Sequence, residues 1–156
     1  MSLMNSSKSD KPGLMSRPYV LLVDDDIDQL AVFKILLEKK AACNVLTARC
    51  AREAEETLKE LHVDLVVCDI NMPGCSGIEL ISRIRKAHDQ SHLPVISFTA
   101  DSEHHAEEAI ANGADAFCYK SESGELVKTI DSIVETNRNS QALLQQIRDR
   151  FEGSAV

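Results

Sequence analysis

Five short apolar runs punctuate the chain: Tyr19–Val23, Val45–Ala48, Leu65–Cys68, Val95–Phe98 and Ala116–Tyr119. Each is mostly continuous in apolar character rather than alternating with polar residues. That is the pattern of strands buried on both faces of a parallel sheet. The stretches between them have helical length and carry apolar residues at helical spacing. The first holds Ile27, Leu30, Ala31 and Leu37, and the second Ala51, Ala54 and Leu58. The third holds Ile78, Ile81 and Ile84, and the fourth Ala106, Ala109 and Ile110. Asp26-Ile-Asp-Gln29 and Ser76-Gly-Ile-Glu79 have the form of capping boxes at helix starts. Met72-Pro-Gly74 and Asn112-Gly113 are turn signals. Strands alternating with helices in this way predict a doubly wound α/β fold with a parallel sheet. In such a sheet, ligands collect beyond the carboxyl ends of the strands.

The ends of the chain read differently. Residues 1–17 are rich in Ser, Lys, Asp and Gly without periodicity, which predicts a disordered leader. The last helix is predicted to begin near Gly124 and carries Leu126, Val127, Ile130, Ile133 and Val134. Its apolar period resumes at Leu143, Leu144, Ile147 and Phe151, beyond the polar stretch Asn137–Gln141. One packed helix has no need of that second set. Either the helix continues as a linker, with a coiled-coil seam, or a separate short helix follows. The predicted division is therefore a leader over 1–17, one domain over 18–136, and a C-terminal helical extension or linker over 137–156.

Composition narrows the function classes. The 156 residues, 44% hydrophobic and 27% charged, suit one packed domain. With 25 acidic against 17 basic residues the net charge is -8, and no basic patch is visible. Direct nucleic-acid binding is not expected, since phosphate neutralisation needs one. No apolar run has the length of a membrane span and no signal-peptide core is present, so no membrane contact and a cytoplasmic location are expected. Cys43, Cys50, Cys68, Cys75 and Cys118 are odd in number and lack C-x-x-C spacing. They read as small hydrophobes in a reducing compartment, not as disulfides or a zinc site.

The polar residues that follow the strands change the picture most. Strand one runs into Asp24-Asp25-Asp26, strand three into Asp69, strand four into Thr99-Ala100, and strand five into Lys120. Carboxylates, a hydroxyl and an amine thus meet at one edge of the sheet. Acids gathered closely repel unless a cation joins them. Oxygen-only ligands favour a hard cation such as Mg²⁺. Phosphoryl transfer is chiefly positioning and charge neutralisation, and a carboxylate can be its nucleophile.

At these residues the sequence resembles the response-regulator receiver domains of two-component signal transduction, the CheY-like family. The matching segments are VLLVDDDIDQL from Val20, DLVVCDINMPGCSG from Asp64, LPVISFTA from Leu93 and GADAFCYK from Gly113. The resemblance covers about residues 19 to 136. It implies a flavodoxin-like (βα)5 fold with strand order 2-1-3-4-5. It also implies that Asp24 and Asp25 form the acidic pair of a Mg²⁺ site. Asp69 would be the phosphoacceptor and a further metal ligand, and Asn71 would offer its backbone carbonyl. Thr99 and Lys120 would hold the phosphoryl oxygens, with Thr99 and Phe117 as the switch pair. Asn71 and Asp101 would tune hydrolysis. The implied donors are a histidine kinase or a histidine phosphotransfer protein. A downstream protein or attached output domain, and a homodimer, are the other partners in view. One departure stands out: the family's usual proline after the lysine is Ser121 here. A cis bond without proline costs roughly 3 kcal/mol, so the loop either keeps a strained cis bond or relaxes to trans.

Simpler explanations suffice for several residues. Asp26 is accounted for as a helix N-cap, and Asp28 as a first-turn charge. The Asp24, Asp26, Asp28 alternation lacks the glycine spacing of a calcium loop. The five histidines show no ligand spacing. Two other functions compete with a regulatory switch. Asp24-x-Asp26 also resembles the nucleophile motif of haloacid-dehalogenase-like phosphatases, but that reading leaves Asp69 unexplained. A phosphorylation-independent pseudo-receiver would retain the fold without the chemistry.

Overall fold

The computed structural model describes residues 16–88, 93–100 and 103–153. Strands β1 (Tyr19–Val23), β2 (Asn44–Ala48), β3 (Leu65–Cys68), β4 (Val95–Thr99) and β5 (Ala116–Tyr119) form one sheet. All pairings are parallel and the order is 2-1-3-4-5, as the resemblance implies. Helices α1 (Ile27–Lys40), α2 (Ala51–Glu60), α3 (Gly77–Ala87), α4 (Glu103–Ala111) and α5 (Ser123–Gly153) connect and follow the strands. The second strand begins one residue earlier, and the fourth ends one later, than the apolar runs suggest, because the sheet ladder takes in Asn44 and Thr99.

Alternation along the strands splits the core between the two sheet faces. Leu21, Val23, Val66, Cys68 and Val95 pack with Ala54 of α2, Leu80, Ile81 and Ile84 of α3, and Ala109 of α4. Val20, Leu22, Leu65, Val67, Ile96 and Phe98 pack with Leu30 and Leu37 of α1, and Leu126 and Ile130 of α5. Each central strand is therefore apolar on both sides, which explains its unbroken hydrophobic run.

The capping boxes form only in part. Asp26 caps α1 by accepting the Asp28 and Gln29 amides, and Ser76 caps α3 by accepting the Glu79 amide. The return half of each box goes elsewhere: Asp24 Oδ1 takes the Asp26 N–H, and Glu79 pairs with Arg83. The chain after β5 enters a 3₁₀ turn, Lys120–Glu122, and then a single continuous helix of 31 residues. Of the two options for the apolar period beyond Asn137, the continuous helix is the one found. Every residue from Arg138 to Gly153 is exposed, including Leu143, Leu144, Ile147 and Phe151. The predicted leader falls almost wholly outside the described residues.

Candidate functional site

Strand pairing continues past β1 and β3 and fixes the backbone under two of the acids. The Asp24 amide donates to the Ala48 carbonyl (3.1 Å), and the Asp69 amide to the Val23 carbonyl (2.9 Å). Both side chains are buried, and each carboxylate is further oriented by an amide two residues on. Asp24 Oδ1 accepts from Asp26 N at 3.0 Å and Asp69 Oδ1 accepts from Asn71 N at 3.2 Å. Asp25 is exposed at the rim, yet one oxygen from each of Asp24, Asp25 and Asp69 lies within 4.8 Å of the others. This all-oxygen set fits a small hard cation such as Mg²⁺, with the sites left over for water and phosphate oxygens.

Lys120 reaches in from the end of β5. Its Nζ donates to Asp24 Oδ2 at 2.7 Å, to Asp69 Oδ2 at 3.2 Å, and to Gln29 Oε1. Burial raises the Asp69 pKa; the nearby Asp24 charge adds to that rise, while Lys120 and the Asn71 amide oppose it. For Lys120, burial works against the charge, but its bonds to Asp24 and Asp69 outweigh it and raise the pKa. Lys120 therefore stays an ammonium and balances part of the acidic charge. The Lys120–Ser121 bond is trans, as are all peptide bonds among the described residues, which settles the open alternative for that loop.

Thr99 is fully buried at the end of β4, on the sheet face that carries α4. Phe117 is paired in register with Ser97, is 43% exposed, and makes an edge contact with Tyr119 at 5.8 Å. A groove lined by Asp28, Gln29, Val32, Phe33, Ala100 and Lys120 opens beside the lysine, so the edge is accessible from the α1 side. The structure thus brings Asp24, Asp25, Asp69 and Lys120 together as the sequence predicts, with Asn71 in the loop after β3 and Thr99 at the end of β4. Asp101 lies outside the described residues.

Two residues at the site escaped the sequence reading. Gln29 was accounted for as part of a capping box, but its side chain contacts Lys120; only its place in the first turn after the acidic pair hinted at this. Gly77 opens α3 directly against Asp69. A Cβ there would stand 1.9 Å from the Asp69 carbonyl oxygen, and the Gly77 amide donates to the Ile70 carbonyl at 2.8 Å. A glycine at the first position of a helix, where none is required, was the available signal.

The five cysteines are free. Burial raises the Cys43 thiol to about 11, and burial together with a Glu79 hydrogen bond raises that of Cys75. Neither has the lowered pKa of a reactive thiol.

Fold and site together define a flavodoxin-like α/β domain with an acidic pocket and a lysine at the carboxyl edge of its sheet. The chain belongs to the response regulator receiver domain family, whose sequence profile matches residues 20–131. It is 30% identical over 132 residues to the two-component response regulator ARR15 of Arabidopsis thaliana, covering 77% of this chain and 64% of that protein. It is 31% identical over 134 residues to a probable cyclic di-GMP phosphodiesterase of Vibrio cholerae, covering 85% of this chain but 30% of that protein. The chain thus spans less than two thirds of these relatives. Among solved structures, the response regulator TrrA of Thermotoga maritima, in complex with Mg²⁺-BeF, superposes with a TM-score of 0.67 at 29% identity. That match covers 74% of this chain and 98% of TrrA. Among the described residues no helix is long and apolar enough to cross a membrane.

Proposed function

We propose that this domain is a Mg²⁺-dependent phosphoacceptor switch of a two-component phosphorelay, acting in the cytoplasm. The observation that carries the reading is the meeting of three carboxylate oxygens within 4.8 Å with a lysine that touches both buried acids. The TrrA neighbour, solved with Mg²⁺-BeF, supports the same use of this edge.

In this reading an Asp69 oxygen attacks the phosphorus of a phosphohistidine on a kinase or a phosphotransfer protein. The P–N bond breaks, its electron pair returns to the imidazole, and an aspartyl phosphate remains. Asp24, Asp25, Asp69 and the Asn71 backbone carbonyl would hold Mg²⁺, which supplies charge neutralisation for the transferred group. Lys120 and Thr99 hold the phosphoryl oxygens. A Thr99 drawn toward the phosphoryl group leaves room on the α4 face for Phe117, and the surface of α4, β5 and α5 changes with it. The Asn71 side chain and Asp101 tune the attacking water. The domain turns over no metabolic substrate. The output belongs to a downstream protein, an attached domain or a second copy, as the longer relatives suggest.

The phosphatase alternative is weakened by Asp26, whose carboxylate caps α1 and is not aimed into the pocket. The test is intact mass after incubation with Mg²⁺ and acetyl phosphate. Wild type should gain one phosphate, lost in EDTA and absent in Asp69→Asn. An adduct that persists in Asp69→Asn but vanishes in Asp24→Asn would establish the phosphatase reading instead. A protein that binds Mg²⁺ and gains nothing would be a pseudo-receiver.

A further inference from the structure

A lysine ammonium has three donors and no acceptor. Here all three are used: by Asp24, by Asp69 and by Gln29. Because the ammonium can only donate, the atom of the Gln29 amide that faces it must be the oxygen, whichever way the amide is drawn. These contacts differ in what the proposed reaction does to them. Asp24 is needed by the cation, and Asp69 becomes an acyl phosphate. Both lose oxygens, or charge, that Lys120 now uses. Gln29 is neutral, takes no part in the cation site, and does not change when phosphate arrives.

Its anchorage is also independent of the acids. Gln29 sits in the first turn of α1, with its own amide bonded to the Asp26 cap at 3.2 Å. Lys120, by contrast, opens a 3₁₀ turn followed by Ser121. A proline there would fix its φ angle and stiffen the segment; serine does not. The lysine side chain is therefore placed by its contacts more than by its backbone.

We propose that Gln29 is a positioning residue for Lys120: its amide oxygen holds one ammonium proton while the other two turn to the phosphoryl oxygens. The inference rests on the phosphoacceptor reading. Without Gln29, the lysine follows Asp24 when that carboxylate turns to the cation, and arrives at the phosphoryl group in fewer productive geometries.

The test uses the full chain, with acetyl phosphate as donor and Mg²⁺ titrated by calorimetry. Gln29→Met keeps the length and removes the acceptor; Gln29→Glu restores an acceptor oxygen. Gln29→Met should take up phosphate about tenfold more slowly than wild type at saturating Mg²⁺, the scale expected of a misplaced catalytic group. Its Mg²⁺ affinity should match that of wild type, since no cation ligand has changed. Gln29→Glu should recover most of the rate. An uptake rate equal to wild type in Gln29→Met overturns the inference. So does a parallel loss of Mg²⁺ affinity and rate, which would mark general damage to the site. If wild type itself binds Mg²⁺ but gains no phosphate, the phosphoacceptor reading fails first, and the role of Gln29 falls with it.

Discussion

The site edge is built in two halves of different character. The β1–β3 half lies at the centre of the sheet, where every residue of β3 and all of β1 after Tyr19 are buried. Its two buried acids continue the strand ladder through their amides, and α3 presses against Asp69 at Gly77. The β4–β5 half ends in an edge strand. Phe117 is half-exposed, Lys120 is held by side-chain contacts, and the Ser97 hydroxyl is buried with no hydrogen-bond partner among the described residues. A cation cradle gains from fixed ligands, because preorganisation avoids an ordering cost on binding. A switch gains from an element whose two arrangements differ little in energy. If the domain is the proposed switch, the difference between the halves would put the cradle at the centre and the movement at the edge.

The largest test severs the link between the halves. Lys120→Met keeps a long side chain but leaves the buried Asp24 and Asp69 without their ammonium. Removing one partner from a buried ion pair costs about 3–5 kcal/mol, and urea unfolding in EDTA should read a loss near the lower end. Mg²⁺ should then restore much of it, because ligand at a hundred times its Kd stabilises by about 2.7 kcal/mol. Unchanged stability in EDTA would mean that the ammonium does not hold the acids together.

A second substitution attacks the rigid half alone. In Gly77→Ala the new methyl must displace backbone, since the Asp69 carbonyl and Ile70 Cα lie within 2.6 Å of its position. Overpacking of this kind costs roughly 1–3 kcal/mol. Because the most crowded atom is the Asp69 carbonyl oxygen, Mg²⁺ affinity should fall as well. Gly124→Ala, in helical backbone with open space around it, is the control: it should lower neither and should stabilise by up to about 1 kcal/mol. If Mg²⁺ binding survives Gly77→Ala intact, the cradle is less rigid than its packing implies.

The third test concerns charge. Burial is the main cause of the raised Asp69 pKa. A carboxyl raised in the folded state binds its proton more tightly there than in the unfolded chain, where the value is about 3.9. Its contribution to stability is fully present below the unfolded value and is lost as pH rises through the folded one. At pH 7, any ionisation of Asp69 in the metal-free protein therefore comes at a cost to stability. In EDTA at that pH, Asp69→Asn should melt a few degrees above wild type, and the gap should shrink toward pH 4. A gap that grows in acid would reverse the sign and make the carboxylate a net stabiliser.

These halves were not equally legible beforehand. The strands and acids of the centre show in the sequence, because a strand buried on both faces writes an unbroken apolar run and the polar residue that ends it is conspicuous. Asp24 and Asp69 needed no knowledge of the fold to be noticed. The edge half was legible only in combination: Thr99 and Lys120, singly a strand end and a surface cation, stand out only beside the acids at the other strand ends, and Phe117, singly a core aromatic, depended on the resemblance. Gln29 and Gly77 were hidden for another reason. Each has a sufficient local role, as cap partner and helix start, and its contact at the site is made outside its own helix. Local patterning explains such a residue too early, and only the packed structure shows which partner its polar or missing atoms serve.

The smallest effect separates the halves most finely. Ser97 lies on β4 between Cys68 of the central half and Phe117 of the edge half, and its side chain is fully buried. A buried hydroxyl without a partner forfeits its hydrogen bonds to water, a penalty of roughly 1–3 kcal/mol. Ser97→Ala removes that polar atom and leaves only a small void, so it should stabilise the metal-free protein by about 1 kcal/mol, read by urea unfolding. Phosphate uptake at Asp69 should be unchanged, since Ser97 lies one strand step behind Thr99 and supplies no ligand. Should Ser97→Ala destabilise instead, the hydroxyl has a partner in solution. The β4–β5 half would then be as fully satisfied as the centre, and the contrast that assigns movement to the edge would lose its energetic basis.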